Sequence, residues 1–92
     1  MKIVINKCYG GFGLSKEAYE YLGLAWDGYG YEYRYYGNRA DHKLVECVET
    51  LGDAANGSLA KLKVVEIPDD VEWEIEEYDG IEWVSEVHRT WK

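Results

Sequence analysis

The chain begins with an unbroken apolar run, Ile3-Val4-Ile5, bounded by Lys2 and Asn6. Continuous β-branched residues predict a strand over 2–6 that is buried on both faces, since a strand with one wet face alternates. Helical spacing follows. Ser15 is placed to cap a helix over 16–22, with Glu17 in its first turn and Gly23 as its stop, so that Ala18, Tyr21 and Leu22 share one side. Asp41 opens a second helix that runs to Leu51 and ends at Gly52. Its Leu44, Cys47, Val48 and Leu51 fall at i, i+3, i+4 and i+7 and form the buried stripe. Cys47 is therefore read as a core thiol.

Period two governs the remaining segments. In 61–67, Leu62, Val64 and Glu66 alternate with Lys63, Val65 and Ile67, a strand with both faces partly covered, ended by Pro68. Segments 72–78 and 81–88 flank Asp79-Gly80, a strong two-residue hairpin signal. That turn sets Tyr78 opposite Ile81, Ile75 opposite Val84, Trp73 opposite Glu86, and Glu77 opposite Glu82. The last is a like-charge pair, read as a solvated edge, although a cation or an arginine could sit there. Between the helices, Tyr29, Tyr31, Tyr33 and Tyr35 alternate with Gly30, Glu32, Arg34 and Tyr36. This stretch reads as an aromatic edge strand, with an interface or ligand-stacking surface as the alternative and a mobile flap as a third. A turn is expected around Asn56-Gly57. Residues 1–92 thus make one α+β domain, a mostly antiparallel sheet of four to five strands with two helices packed on it.

Composition narrows the function. With 47% hydrophobic and 30% charged residues the chain is an ordinary globular one. A formal charge of −8 disfavours duplex nucleic acid and anionic membranes, both bound largely through Lys and Arg. The N-terminal apolar run is too short for a signal peptide or a membrane span, and two cysteines make no disulfide framework, so the expected location is the cytoplasm. Nine Tyr and four Trp against one Phe favour surfaces where an apolar body needs a polar tip, such as interfaces and ligand pockets.

The richest candidate for chemistry is Cys8-Tyr9-Gly10-Gly11-Phe12, between the first strand and the first helix. A strand, a glycine turn and a helix start present backbone N–H groups and a positive dipole end, which suits a phosphate or carboxylate. The spacing is neither that of a P-loop nor Gly-x-Gly-x-x-Gly, and a purely structural tight turn is the competing explanation. Cys8 is a nucleophile only if a base such as His42 or His88 lies beside it, and no motif puts one there. The spacings of Cys8, Cys47, His42 and His88 fit no metal site, so neither a metal nor a cofactor is expected. The carboxylates of 69–77 look like a solvated strand edge. Arg39 and Arg89 stand out in an arginine-poor chain, and Arg89 lies between His88 and Trp91. Arginine with aromatics suits a phosphate and a stacked base, against the simpler role of a surface ion pair.

The opening Asn6-Lys-Cys-Tyr-Gly-Gly-Phe-Gly-Leu-Ser15, the segment Ile67-Pro-Asp-Asp70, and the ending Glu86-Val-His-Arg-Thr-Trp91 resemble a family of small phage-encoded proteins. That family is similar to the anti-CBASS sponge proteins, which sequester cyclic-nucleotide immune signals. The resemblance implies a non-enzymatic binder in the bacterial host cytoplasm, a homo-oligomer (dimer or tetramer), and a small nucleotide ligand. Its site would combine Cys8, Tyr9, Gly10, Gly11 and Phe12 with Arg39, His88, Arg89 and Trp91. The alternative is an acidic protein-interaction module that inhibits a host protein.

Overall fold

The computed structural model describes residues 1–30 and 33–87, the side chains of Tyr33 and Arg34 excepted. In chain order come β1 (Lys2–Asn6), α1 (Lys16–Leu22), a single helical turn α2 (Tyr33–Tyr36), and α3 (His42–Leu51), which runs into a 3-10 turn (Gly52–Ala55). Then follow β2 (Leu62–Glu66), β3 (Trp73–Tyr78) and β4 (Ile81–Glu86). The class is α+β. The strands form two antiparallel two-stranded sheets, β1–β2 and β3–β4, where the pattern predicts a single sheet of four to five.

The helices form where the capping residues place them. Ser15 Oγ accepts the Ala18 amide at 3.0 Å, and Gly23 closes α1 in the left-handed region at φ 74°. Asp41 Oδ1 accepts the amides of Lys43 and Leu44 at 2.9 and 3.1 Å, satisfying two donors that a helix start leaves open. On α1 it is Tyr19, rather than Tyr21, that joins Ala18 and Leu22 in the interior. Tyr21 instead lies at the rim, its hydroxyl bonded to the Glu46 carboxylate. The core gathers Val4, Phe12 and Leu14 with Ala18, Tyr19 and Leu22 of α1, and with Leu44, Val45, Cys47 and Val48 of α3.

The aromatic stretch does not form the expected strand. Asp27 Oδ1 accepts the amides of Tyr29 and Gly30, both at 2.8 Å, which folds this part into a turn. Those same bonds, Gly30's first, hold the Asp27 carboxyl below its usual range. Gly28 and Gly30 sit at φ 89° and 90°, outside strand geometry. Further on, α2 sends Tyr35 into the core while Tyr36 stays half exposed. Tyr31 lies outside the described residues.

The β3–β4 hairpin adopts the register that its turn dictates, from Tyr78↔Ile81 through Ile75↔Val84 to Trp73↔Glu86. Asp79 and Gly80 both have positive φ, 54° and 95°, as a two-residue turn of this twist requires.

Cys47 is fully buried, with Sγ 3.9 Å from the Ala18 carbonyl oxygen, and burial pushes its pKa up to about 11. Cys8 is free and half-buried. A disulfide reagent at pH 8 is therefore expected to titrate Cys8 rapidly in the native protein and Cys47 only on unfolding, because the thiolate is the reacting species. Rapid labelling of both thiols without denaturant would refute the core placement of Cys47.

Candidate functional site

Backbone parity explains why β1 ends up as the best-buried strand. Lys7 donates to Lys61 O at 2.7 Å and Ile67 to Met1 O at 2.8 Å, so the odd-numbered residues of β1 bond to β2. Val4 and Asn6 therefore point their backbone groups away from β2. Among the described residues no third strand takes them. Instead the Val4 amide donates to Arg39 O at 2.9 Å, and the Asn6 amide donates to Glu82 Oε1 at 2.8 Å. Arg39 Nη1 reaches Val4 O at 3.4 Å.

Arg39 and Glu82 bind each other as a fork. Nη1 meets Oε1 at 2.6 Å and Nη2 meets Oε2 at 2.8 Å, with both side chains about 95% buried (4% and 5% exposed). Arg39 Nε donates to Tyr36 O at 2.9 Å. The guanidinium also lies over the Phe12 ring, 3.8 Å from its centroid, and 5.0 Å from that of Tyr36. The pairing of Glu77 with Glu82 is resolved here. Glu82 turns inward to the arginine rather than to solvent, while Glu77 Oε2 accepts the Gly80 amide at 2.9 Å.

Asn6 is the second polar hub, with no exposure. Its Nδ2 donates to Cys8 O at 2.6 Å and to Gly80 O at 2.7 Å, and its Oδ1 accepts the Lys61 amide at 2.8 Å. One side chain thus ties the glycine loop, the hairpin turn and the entry to β2. Among the described residues no buried side-chain nitrogen or oxygen lacks a partner.

The glycine loop meets the hairpin turn backbone to backbone. Gly10 N lies 3.4 Å from Asp79 O, and a Cβ on Gly80 would overlap the nitrogens of Gly10 and Gly11. A Cβ on Gly10 would stand 2.7 Å from that of Leu59, and Gly10 and Gly11 have φ of 116° and 95°. Gly10 and Gly80 serve a close approach within the chain itself, and Gly11 a left-handed backbone. Next to them lies an open groove of about 420 Å³ bordered by Gly10, Gly11, Glu77, Asp79 and Gly80. Its side-chain charges are two carboxylates, which oppose an anion.

The structure thus brings Phe12 and Arg39 into contact, with Phe12 buried beneath the guanidinium. It leaves Tyr9 exposed beside half-buried Cys8, and places Gly10 and Gly11 on the hairpin turn. His88, Arg89 and Trp91 lie outside the described residues. His42 borders a different hollow, with Met1, Lys2, Glu46 and Glu49, where Lys2 Nζ is paired to Glu49 at 2.8 Å. No group of three His, Cys, Asp or Glu side chains among the described residues is arranged to hold a metal ion. No helix there is long and apolar enough to cross a membrane. Sequence reasoning missed Asn6 and Glu82. The latter was signalled by the like-charge pairing, which reads as a solvated edge where an arginine could also sit.

No family model, curated protein or solved structure matches the chain.

Removing one partner of a buried ion pair costs roughly 3–5 kcal/mol. Arg39→Met is expected to lose stability of that order in urea denaturation. The double variant Arg39→Met/Glu82→Leu is expected to stay well below wild type, because the Val4 carbonyl and the Asn6 amide would lose their side-chain partners. Recovery of full stability in the double variant would show that the pair does not complete β1.

Proposed function

We propose that this protein is a non-enzymatic binding module that engages a basic surface of another protein. If the chain is phage-encoded, as its resemblance suggests, that partner is a host protein and the outcome is inhibition. The observation that carries this reading is the outer face of the β3–β4 hairpin. The register puts Glu74, Glu76 and Tyr78 on the same face as Trp83 and Ser85. Tyr78 is 71% exposed and Trp83 42% exposed. Large aromatics held in water between carboxylates are the composition of an interface waiting for its partner, since Tyr and Trp supply most of the anchoring contacts in such surfaces. The net charge of −8 would steer association with a cationic partner.

A second reading is sequestration of a small cyclic nucleotide by a homo-oligomer. It is supported by the phage-family resemblance and by the groove of about 420 Å³ beside Gly10 and Gly11. Against it stands the use of Arg39, whose fork is already closed around Glu82.

The two readings separate in solution. Thermal melting with a panel of cyclic and linear nucleotides is expected to show no shift, whereas a tight ligand at about 100 times its Kd would stabilise the fold by about 2.7 kcal/mol. A clear shift would overturn the protein-binding reading in favour of the second. Immobilised wild-type protein is expected to retain a basic protein from a bacterial lysate and to release it with salt. Tyr78→Ser/Trp83→Ser should retain less than a tenth as much while melting within a few degrees of wild type.

A further inference from the structure

The hairpin has an edge as well as a face. Val87 donates to Glu72 O at 2.9 Å, and bonded pairs alternate along an antiparallel ladder. The even-numbered residues of β3 therefore bond to β4, while Trp73, Ile75 and Glu77 aim their N–H and C=O groups away from it. Among the described residues no backbone hydrogen bond reaches that outer edge, and β3–β4 has only two strands. The side chains of these same three residues line a groove of about 330 Å³ shared with Tyr36, Gly37, Arg39 and Glu82. Open edge and groove are contiguous, so a strand added to β3 would send every second side chain into the groove.

We infer that the outer edge of β3 accepts an extended segment of a partner protein, with apolar and Lys/Arg residues in alternation. Its backbone pairs with the exposed groups of Trp73, Ile75 and Glu77. Side chains on the groove side lie against Trp73, Ile75 and Tyr36, while those on the opposite side meet Glu74 and Glu76. Charge decides between occupants. A second copy of this chain pairing through β3 would bring Glu72, Glu74, Glu76 and Glu77 against the same residues, and like charges across a strand pair are unfavourable. A basic segment turns the contacts with Glu72, Glu74 and Glu76 favourable. Recognition by strand addition also fits the division of labour seen elsewhere, main-chain bonds giving affinity and alternate side chains giving specificity.

This inference deepens the protein-binding reading and depends on it. The test uses the full chain and two synthetic ten-residue probes, one alternating Lys with Val and one carrying N-methyl groups on every second amide. Calorimetric titration is expected to show binding of the first probe and at least tenfold weaker binding of the second. In amide NMR spectra, Trp73, Ile75 and Glu77 should shift most. Ile75→Pro removes an N–H that faces the open edge, a place where proline is tolerated. It should weaken binding of the Lys/Val probe at least tenfold, and Ile75→Thr, which restores the donor, should largely keep it. Retention of the hairpin by Ile75→Pro is checked by the Glu74 and Glu76 amides, which should stay protected from exchange. Equal binding of the two probes, or an Ile75→Pro variant that binds like wild type, overturns the edge. In that event, continued loss of lysate capture in Tyr78→Ser/Trp83→Ser would leave the protein-binding reading standing on the outer face. If wild type binds neither probe, the inference fails as well.

Discussion

The fold depends on a buried ion pair that does the work of a strand. β1 is apolar on both faces and pairs with β2 along one edge only, so its other edge would be an uncompensated row of amides and carbonyls inside the protein. Arg39 and Glu82 fill that row: a backbone carbonyl and a guanidinium from the segment before α3, and a carboxylate from β4. A buried ion pair often contributes little against an apolar replacement of the same shape, because desolvation offsets the attraction. Here the pair also satisfies main-chain groups that an apolar replacement would leave bare, and each such group costs about 1–3 kcal/mol when buried without a partner.

The position of the hairpin follows from this constraint. β4 must lie close enough for Glu82 to reach Asn6, and that distance drives the Asp79-Gly80 turn onto the loop at Gly10 and Gly11. Contact there is backbone on backbone, which excludes a side chain at Gly80. Asn6 then seals the joint by bonding both the Cys8 and Gly80 carbonyls. Gly10 is thus accounted for by the chain's own packing and Gly11 by its left-handed backbone. An external anion is not needed to account for them, and the carboxylates of Glu77 and Asp79 flank the groove that one would occupy.

Much of this was legible in the residues. Local signals were reliable where one interaction decides the outcome: Ser15 and Asp41 as caps, Gly23 and Gly52 as stops, Asp79-Gly80 as a turn that fixes the whole hairpin register. The β1 run also told its own burial. What could not be read was which distant groups meet. A period of two in the tyrosine stretch looked like a strand because side-chain alternation says nothing about Asp27 capturing the Tyr29 and Gly30 amides, or about paired positive-φ glycines. The split into two sheets was hidden for a similar reason. A strand's second edge is normally filled by another strand, and no local pattern announces that an arginine and a glutamate will take that place. The like-charge pairing of Glu77 with Glu82 was the one trace of it.

The same pair sets where binding must be sought. An arginine-poor, strongly acidic chain has placed a scarce guanidinium inside, where its charge is cancelled by Glu82 and its face is covered by Phe12. What the described surface presents instead is carboxylate and aromatic: Glu74 and Glu76 beside Tyr78 and Trp83 on one side of the hairpin, with Trp73, Ile75 and Tyr36 around a groove on the other. Because β4 is held to β1 by Glu82, the hairpin is anchored through one strand, and no described residue pairs with the outer edge of the other. On the proposed reading such an anchored ribbon is preorganised for a partner, since its own ordering has been achieved by folding and does not count against association. The buried pair that completes β1 is therefore also what fixes the hairpin that carries β3.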